Sequence, residues 1–191
     1  MTKTAYHHGD LRTTLLRAAA DQIAAEGVDA VSLRALAQRA GVSHAAPAHH
    51  FGNRQGLLTA LAIEGFDLLA EELRAAAGDF RDVAIAYIRF ARNHPGHFDV
   101  MFRRDLLRGD DERLAAARAR SGAELSSGVT YLAVAPEGRR AAQLAAWSLV
   151  HGFASLWREG ALEGSQLGGD DPEELARHMV AAVEFAGAGR E

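Results

Sequence analysis

Val31-Ser-Leu-Arg-Ala-Leu-Ala-Gln-Arg-Ala-Gly-Val-Ser43, followed by His44-Ala-Ala-Pro-Ala-His-His-Phe51, contains two short helices with a three-residue turn between them. Ser32 is a helix cap, Leu33, Leu36, Ala37 and Ala40 form one inner face, and Gly41 supplies the left-handed position that stops the helix. Ser43 stands where a cap for the second helix is expected, over His44 to Phe51. A turn as short as Gly41-Val42-Ser43 sets such a pair at a steep angle and projects the second helix outward. Ala37 is small where the helices cross, and Leu36, Ala40 and Val42 are apolar where the pair must be held against a third element. These positions fit a helix-turn-helix; an ordinary αα-hairpin inside a bundle meets the same conditions.

The third element lies upstream. Leu11, Leu15, Ala19 and Ile23 repeat at i+4 between Asp10 and Glu26, and Gly27 ends that helix. Downstream, Asn53 caps a long helix carrying Leu57, Leu58, Leu61, Leu68, Leu69 and Leu73, a connector of about five turns. From about Arg81 come a helix with Val83, Tyr87, Phe90 and Ala91, a break at Pro95-Gly96, and a short aromatic helix with Phe98, Met101 and Phe102 on one face. An Ala/Arg-rich helix runs towards Tyr131, Pro136 opens another that reaches Arg158, and the Gly-rich stretch from Gly160 to Gly169 is a loop. Asp171-Pro-Glu-Glu174 reads as a capping box opening a last helix that buries Leu175, Met179 and Val183. With abundant alanine and few β-branched residues the expected fold is all-α, about nine helices.

Of 191 residues, 48% are apolar and 24% charged, the composition of a globular chain, and there is no cysteine for a disulfide or a thiolate metal site. No apolar run approaches the ~20 residues of a membrane span, and Met1 to Asp10 lacks a signal-peptide core, so the expected location is the cytoplasm. The net charge of −4 is unevenly spread. Residues 1–54 hold Lys3, Arg12, Arg17, Arg34, Arg39 and Arg54 against Asp10, Asp21, Glu26 and Asp29, and five of the nine histidines, which permits a nucleic-acid partner. Neither a nucleophile with a neighbouring base nor a carboxylate pair nor a phosphate loop is visible, so an enzyme is not expected; the rival class is an all-helical small-molecule binder or enzyme with a structural hairpin. Metal is not expected either: Pro95-Gly96 interrupts His94 and His97, and adjacent helical histidines such as His49-His50 point about 100° apart.

The Val31–Ser43 stretch, with His49-His-Phe51 and Arg54-Gln-Gly-Leu-Leu58 in register, resembles the amino-terminal signature of the TetR family of transcriptional regulators over residues 10–61. The resemblance implies a DNA-binding domain over residues 1–54, a ligand-binding and dimerisation domain over 55–191, and a homodimer on an operator in double-stranded DNA. It also implies a regulator, most simply a repressor released by a small, largely apolar effector, with no cofactor. Carried across, Ser32 and Arg34 touch phosphate and a base edge, Ser43, His44, Ala45 and His49 face the major groove, and Arg54 stands for the family's phosphate-binding lysine. The chain departs from the pattern at Ala48, preceded by Pro47, where the family usually has a tyrosine whose hydroxyl bonds phosphate.

The helix after Pro136 is apolar on almost every side and so is expected to be buried between layers. Ala141, Ala145, Ser148, Gly152 and Ser155 repeat at 4-3-4-3 spacing and are all small, a line along which another backbone can approach. Together with Met179 and Val183 they are the expected isologous dimer interface; packing within one chain is the alternative. Trp147-Ser-Leu-Val-His-Gly152, with His94-Pro95 and Phe98 to Phe102, resembles one carboxy-terminal subgroup of the same family over Val83 to Ala186. The resemblance implies an effector cavity, and the candidate lining is Phe90, Phe98, Met101, Phe102, Tyr131, Trp147 and His151, with His151 as the polar handle.

Overall fold

The computed structural model describes residues 8–76, 78–130, 136–163 and 171–183. Their regular structure is all helical, without a strand among them: α1 (His8–Glu26), α2 (Leu33–Arg39), α3 (Ala45–Phe51), α4 (Arg54–Ala75), α5 (Phe80–Asn93), α6 (Pro95–Met101), α7 (Glu112–Thr130), α8 (Arg139–Arg158) and α9 (Pro172–Ala182). Short 3₁₀ turns lie at Val28–Ala30, Arg104–Leu106 and Pro136–Gly138. Among the described residues no helix is long and apolar enough to cross a membrane.

The chain divides into two compact units, residues 1–65 with 94–116, and residues 66–93 with 117–191. The boundary expected at residue 54 thus falls inside the first unit, because the first half of α4 and the whole of α6 pack with the amino-terminal helices.

In the first unit α1 is the platform. Its Leu15, Leu16, Ala19 and Ile23 are buried, Leu11 half-buried, and α2, α3 and α6 all pack on it. Side-chain spacing determines which helix comes closest. α6 meets α1 through Gly96, where an added Cβ would collide with the Ala20 carbonyl oxygen and stand 2.8 Å from its carbon. The Pro95-Gly96 pair that reads as a break is therefore the start of a helix, with Pro95 in its first turn, where the missing N–H costs no helical bond.

α2 begins where the sequence places it: the Ser32 side chain accepts from Ala35 N at 3.2 Å. It ends in a Schellman motif, with Val42 N bonded to Ala37 O at 3.0 Å, Gly41 N to Gln38 O at 3.2 Å, and Gly41 at φ 65°. Leu36 and Ala37 have no exposed surface.

In the second unit the central helix is α5, whose residues Val83 to Ile88 are all buried, with α8 and α9 packed against it. Ile85 and Ile88 pack with Ala176 of α9, flanked by Phe153 and Met179. Charge closes the same contact: Glu173 pairs with Arg89 at 3.2 Å and Arg92 at 2.8 Å. Removing either arginine leaves a nearly buried carboxylate under-compensated, which costs more than the pair itself contributes.

Within one chain, two helices are less enclosed than their patterns predict. α8 has Ala142, Ala146, Val150 and Ala154 buried, whereas Leu144 and Trp147 remain 60% and 41% exposed, and α5 is the enclosed helix of the unit. In α9 the buried apolar residues are Ala176 and Val180; Leu175 and Met179 are half-buried and Val183 is exposed. Asp171 does cap α9, accepting from Glu173 N at 2.9 Å, but Glu173 turns to the arginines of α5.

Gly96→Ala should force α6 off α1 and lower the unfolding free energy by about 1–3 kcal/mol, as overpacking does. Urea unfolding of the two proteins measures it, and an unchanged midpoint would mean that the crossing does not need a bare backbone.

Candidate nucleic-acid interface

α3 has two unlike sides. Phe51 is 5% exposed and Pro47 is buried, so this side holds the helix to the unit. Opposite, Ala45, Ala48 and His49 fall at i, i+3 and i+4 on one face and are exposed, as are Ser43 and His44 before them. Ser32 and Arg34, at the start of α2, are also exposed. Every side chain named for the groove or the phosphates except Arg54 therefore lies in solvent, on a frame fixed by buried neighbours.

Local chemistry explains how that face is kept. Pro47 is the third residue of α3, where a backbone N–H would have no helical acceptor, so the imino acid costs nothing and its ring fills the buried side. Ser43 does not cap with its side chain as expected; its carbonyl accepts from Ala46 N at 3.0 Å, and His44 holds the cap position in helical geometry. The Ser43 side chain therefore stays on the exposed face. Arg12 lies over the Phe51 ring, 5.6 Å from its centroid, and closes the buried side from α1.

Arg54 is held by the protein's own backbone. Its Nε donates to Val31 O at 3.0 Å and an Nη to Val28 O at 2.7 Å, and Asp29 stands 3.7 Å away. The guanidinium thus ties the first turn of α4 to the 3₁₀ turn and to the extended residue before α2. This tie spans more than twenty residues and left no local signal in the sequence. Asn53 caps α4 as expected, accepting from Gly56 N at 2.9 Å.

The candidate effector residues belong to both units. Phe98 and Met101 are buried and Phe102 half-buried, all in the first unit, where the Phe98 and Phe102 rings lie 5.5 Å apart and Met101 fills the space above Gly65 of α4. Phe90, Trp147 and His151 belong to the second unit, with Phe90 wholly enclosed. Tyr131 lies outside the described residues.

What does assemble is a relay that the sequence did not single out. The Tyr87 hydroxyl, buried in α5, sits 2.9 Å from His151 Nδ1. The Trp147 indole, which can only donate, bonds the same hydroxyl, and the hydroxyl can in turn donate to Nδ1 of a neutral imidazole whose proton is on Nε2. Burial pushes the Tyr87 phenol well above its ordinary value and holds the His151 imidazole below its own, which favours this neutral pair. Tyr87 appears in the sequence only as a residue of the core stripe.

Among the described residues no group of three or more His, Asp and Glu side chains converges as for a metal ion. His97 is instead taken by Glu64, its Nε2 3.1 Å from the carboxylate.

The likenesses to known proteins follow the same division of labour. A family model described as bacterial regulatory proteins, tetR family, matches residues 15–61, and one described as the tetracyclin repressor-like C-terminal domain matches residues 80–183. The chain is 29% identical to the uncharacterized HTH-type transcriptional regulator Rv0681 of Mycobacterium tuberculosis, covering 80% of this chain and 72% of that one. Among solved structures, a protein with unknown function from Rhodococcus sp. RHA1 is 34% identical, with a TM-score of 0.74 over 92% of this chain and 94% of that one. The TetR family transcriptional regulator PfmR from Thermus thermophilus, 22% identical with a TM-score of 0.64 over 89% of this chain and 98% of its own, shares the fold. Since the second family model alone spans more than half of the sequence and the first covers the helix-turn-helix, the chain belongs to the TetR family of transcriptional regulators.

Proposed function

We propose that the chain is a cytoplasmic repressor that grips a palindromic operator as a homodimer and lets go when a small, largely apolar effector binds its carboxy-terminal part. The family works by regulating transcription through a DNA-binding head, and not by catalysis. The observation that carries the reading is the exposed face of α3, Ser43, His44, Ala45, Ala48 and His49, held up by the buried Pro47 and Phe51. In this reading Ala45 and Ala48 pack on thymine methyls, His44 and His49 reach base edges or phosphate, and Ser32 and Arg34 set the register on the backbone. Arg54 acts mainly by holding the frame, with its remaining N–H groups turned to phosphate.

Dimerisation is supported by the bare side of α8. Ala141, Ala145 and Ser148 are exposed, Gly152 and Ser155 half-exposed, and Leu144 and Leu156 stand beside them in solvent. A Cβ on Gly152 would meet nothing within 4 Å, so a second backbone has room to approach along the small line. Met179 and Val183 extend the apolar surface onto α9. Apolar surface of this kind is costly to leave in water. A palindromic operator calls for two reading heads one DNA turn apart, ~34 Å. The effector is placed in the second unit, where Trp147 offers an apolar plane and His151 Nε2–H a donor to a carbonyl or carboxylate; release requires that it bind the non-gripping conformer more tightly.

Wild type titrated against the intergenic DNA beside its own gene should bind tightly, with log K falling linearly in log salt. Arg34→Ala should cost about 1–3 kcal/mol of that binding and leave folding unchanged. Arg54→Ala should lower the unfolding free energy as well, by about 1–2 kcal/mol for the two lost bonds. Binding indifferent to DNA sequence and to Arg34→Ala would sink the repressor reading.

Leu144→Glu with Leu156→Glu should turn a dimer in sedimentation into a folded monomer; a wild type that sediments as a monomer at the same concentration would remove the interface. Acid tests the relay. Because His151 in the folded chain titrates below its ordinary 6.5, the unfolded chain binds more protons, so stability should fall as pH drops below about 6.5. That loss should shrink in His151→Asn, as followed by thermal unfolding across the range, and an equal loss in both proteins would assign it elsewhere.

A further inference from the structure

Behind the reading helix, within the first unit, lies a cavity of about 140 Å³ that the DNA-binding reading does not use. Three arginines line it, Arg12 from α1, Arg108 from the segment after α6, and Arg113 from the first turn of α7, with His50, Thr59 and Asp111. Among the described residues none of the three guanidinia is in an ion pair with a carboxylate, whereas Arg103, close by in sequence, pairs with Asp105 at 3.0 Å.

Two of the three are held in place by the structure. Arg108 lies along the start of α4, its Nη 3.2 Å from Asn53 Oδ1 and 3.4 Å from the Phe51 carbonyl, and its backbone N–H donates to Thr59 Oγ1 at 3.0 Å. It passes close over Gly56, where an added Cβ would collide with the Phe51 carbonyl oxygen and stand 2.7 Å from the same nitrogen. Arg12 is stacked on Phe51. The single acid of the lining, Asp111, is turned to capping α7, accepting from Arg113 N at 2.9 Å and Leu114 N at 3.1 Å.

Three guanidinia around one cavity, with its single acid engaged in capping, give the lining a net positive charge that favours an anion. Guanidinium forks suit tetrahedral oxyanions, which accept two parallel bonds from each. The volume is several times the roughly 30 Å³ share of a water molecule, room for such an anion with part of its hydration. The cavity wall includes Phe51, on the side of α3 opposite Ala45, Ala48 and His49, and so faces away from the groove-reading surface. We propose that this cavity is an anion site that takes a phosphate group from a free small molecule, independently of the DNA.

Full-length, DNA-free protein titrated with sodium diphosphate at constant ionic strength tests this through the arginine Nε–H resonances. Arg12, Arg108 and Arg113 should shift together and saturate while Arg103 stays still, and Arg113→Ala, on an exposed side chain, should weaken the affinity about tenfold or more. Arg103→Ala should change nothing. Shifts that rise linearly and include Arg103, or an affinity unchanged by Arg113→Ala, would overturn the site. If diphosphate moves none of the three and a DNA duplex moves all of them, the phosphate is the backbone's and the free-anion assignment fails. Because the titration contains no DNA, a failed operator search leaves its result intact.

Discussion

The reading head depends on how close two backbones can come. α1 carries α2 and α3 on one part of its surface and α6 on another, and the α6 contact works only because residue 96 has no side chain where it meets Ala20. At that separation neither helix can slide without opening a gap or a clash, since interiors are packed to crystal density. The buried residues of the three-helix head, Leu15, Leu36, Phe51 and Leu58, are then positioned by a platform that is itself braced from behind.

Much of this was legible in the sequence, for a definable reason. A helix buries residues at a fixed period and marks its ends with a few residue types, so the stripe of α1, the Ser32 and Asn53 caps and the Gly41 stop are local signals, and each is found in place. The helix-turn-helix was readable because its geometry constrains a dozen consecutive residues. Ser43 is of the residue type that caps helices, but the chain enters α3 through a helical turn that uses its carbonyl instead. The bonds that Arg54, Arg108 and Tyr87 make were not readable. Each acts through bonds to residues between twenty-three and sixty-four positions away, and no spacing rule reaches so far.

The second unit separates pattern from placement in another way. α5 and α8 both carry enough apolar residues to be enclosed, and hydrophobicity alone favoured α8 for the interior. The structure encloses α5, between α8 and α9, and leaves α8 with small residues, Leu144 and Trp147 outside. A helix that is apolar all round has to meet partners on several sides, but the pattern does not specify whether they come from its own chain. Of the candidate effector residues, Phe98 and Met101 fill core space, Met101 against Gly65 of α4, as apolar residues at helical spacing commonly do.

The Arg54 clamp has a mechanical consequence. Its fork holds two carbonyls on either side of the short turn that leads into α2, so the first residue of α4 and the entry to the helix-turn-helix are a single joint. A lysine, with one compact ammonium on a limber stem, would pin one carbonyl at a time and allow play between them. With arginine there, both carbonyls are held at once, and the start of α4 is coupled stiffly to the entry of α2.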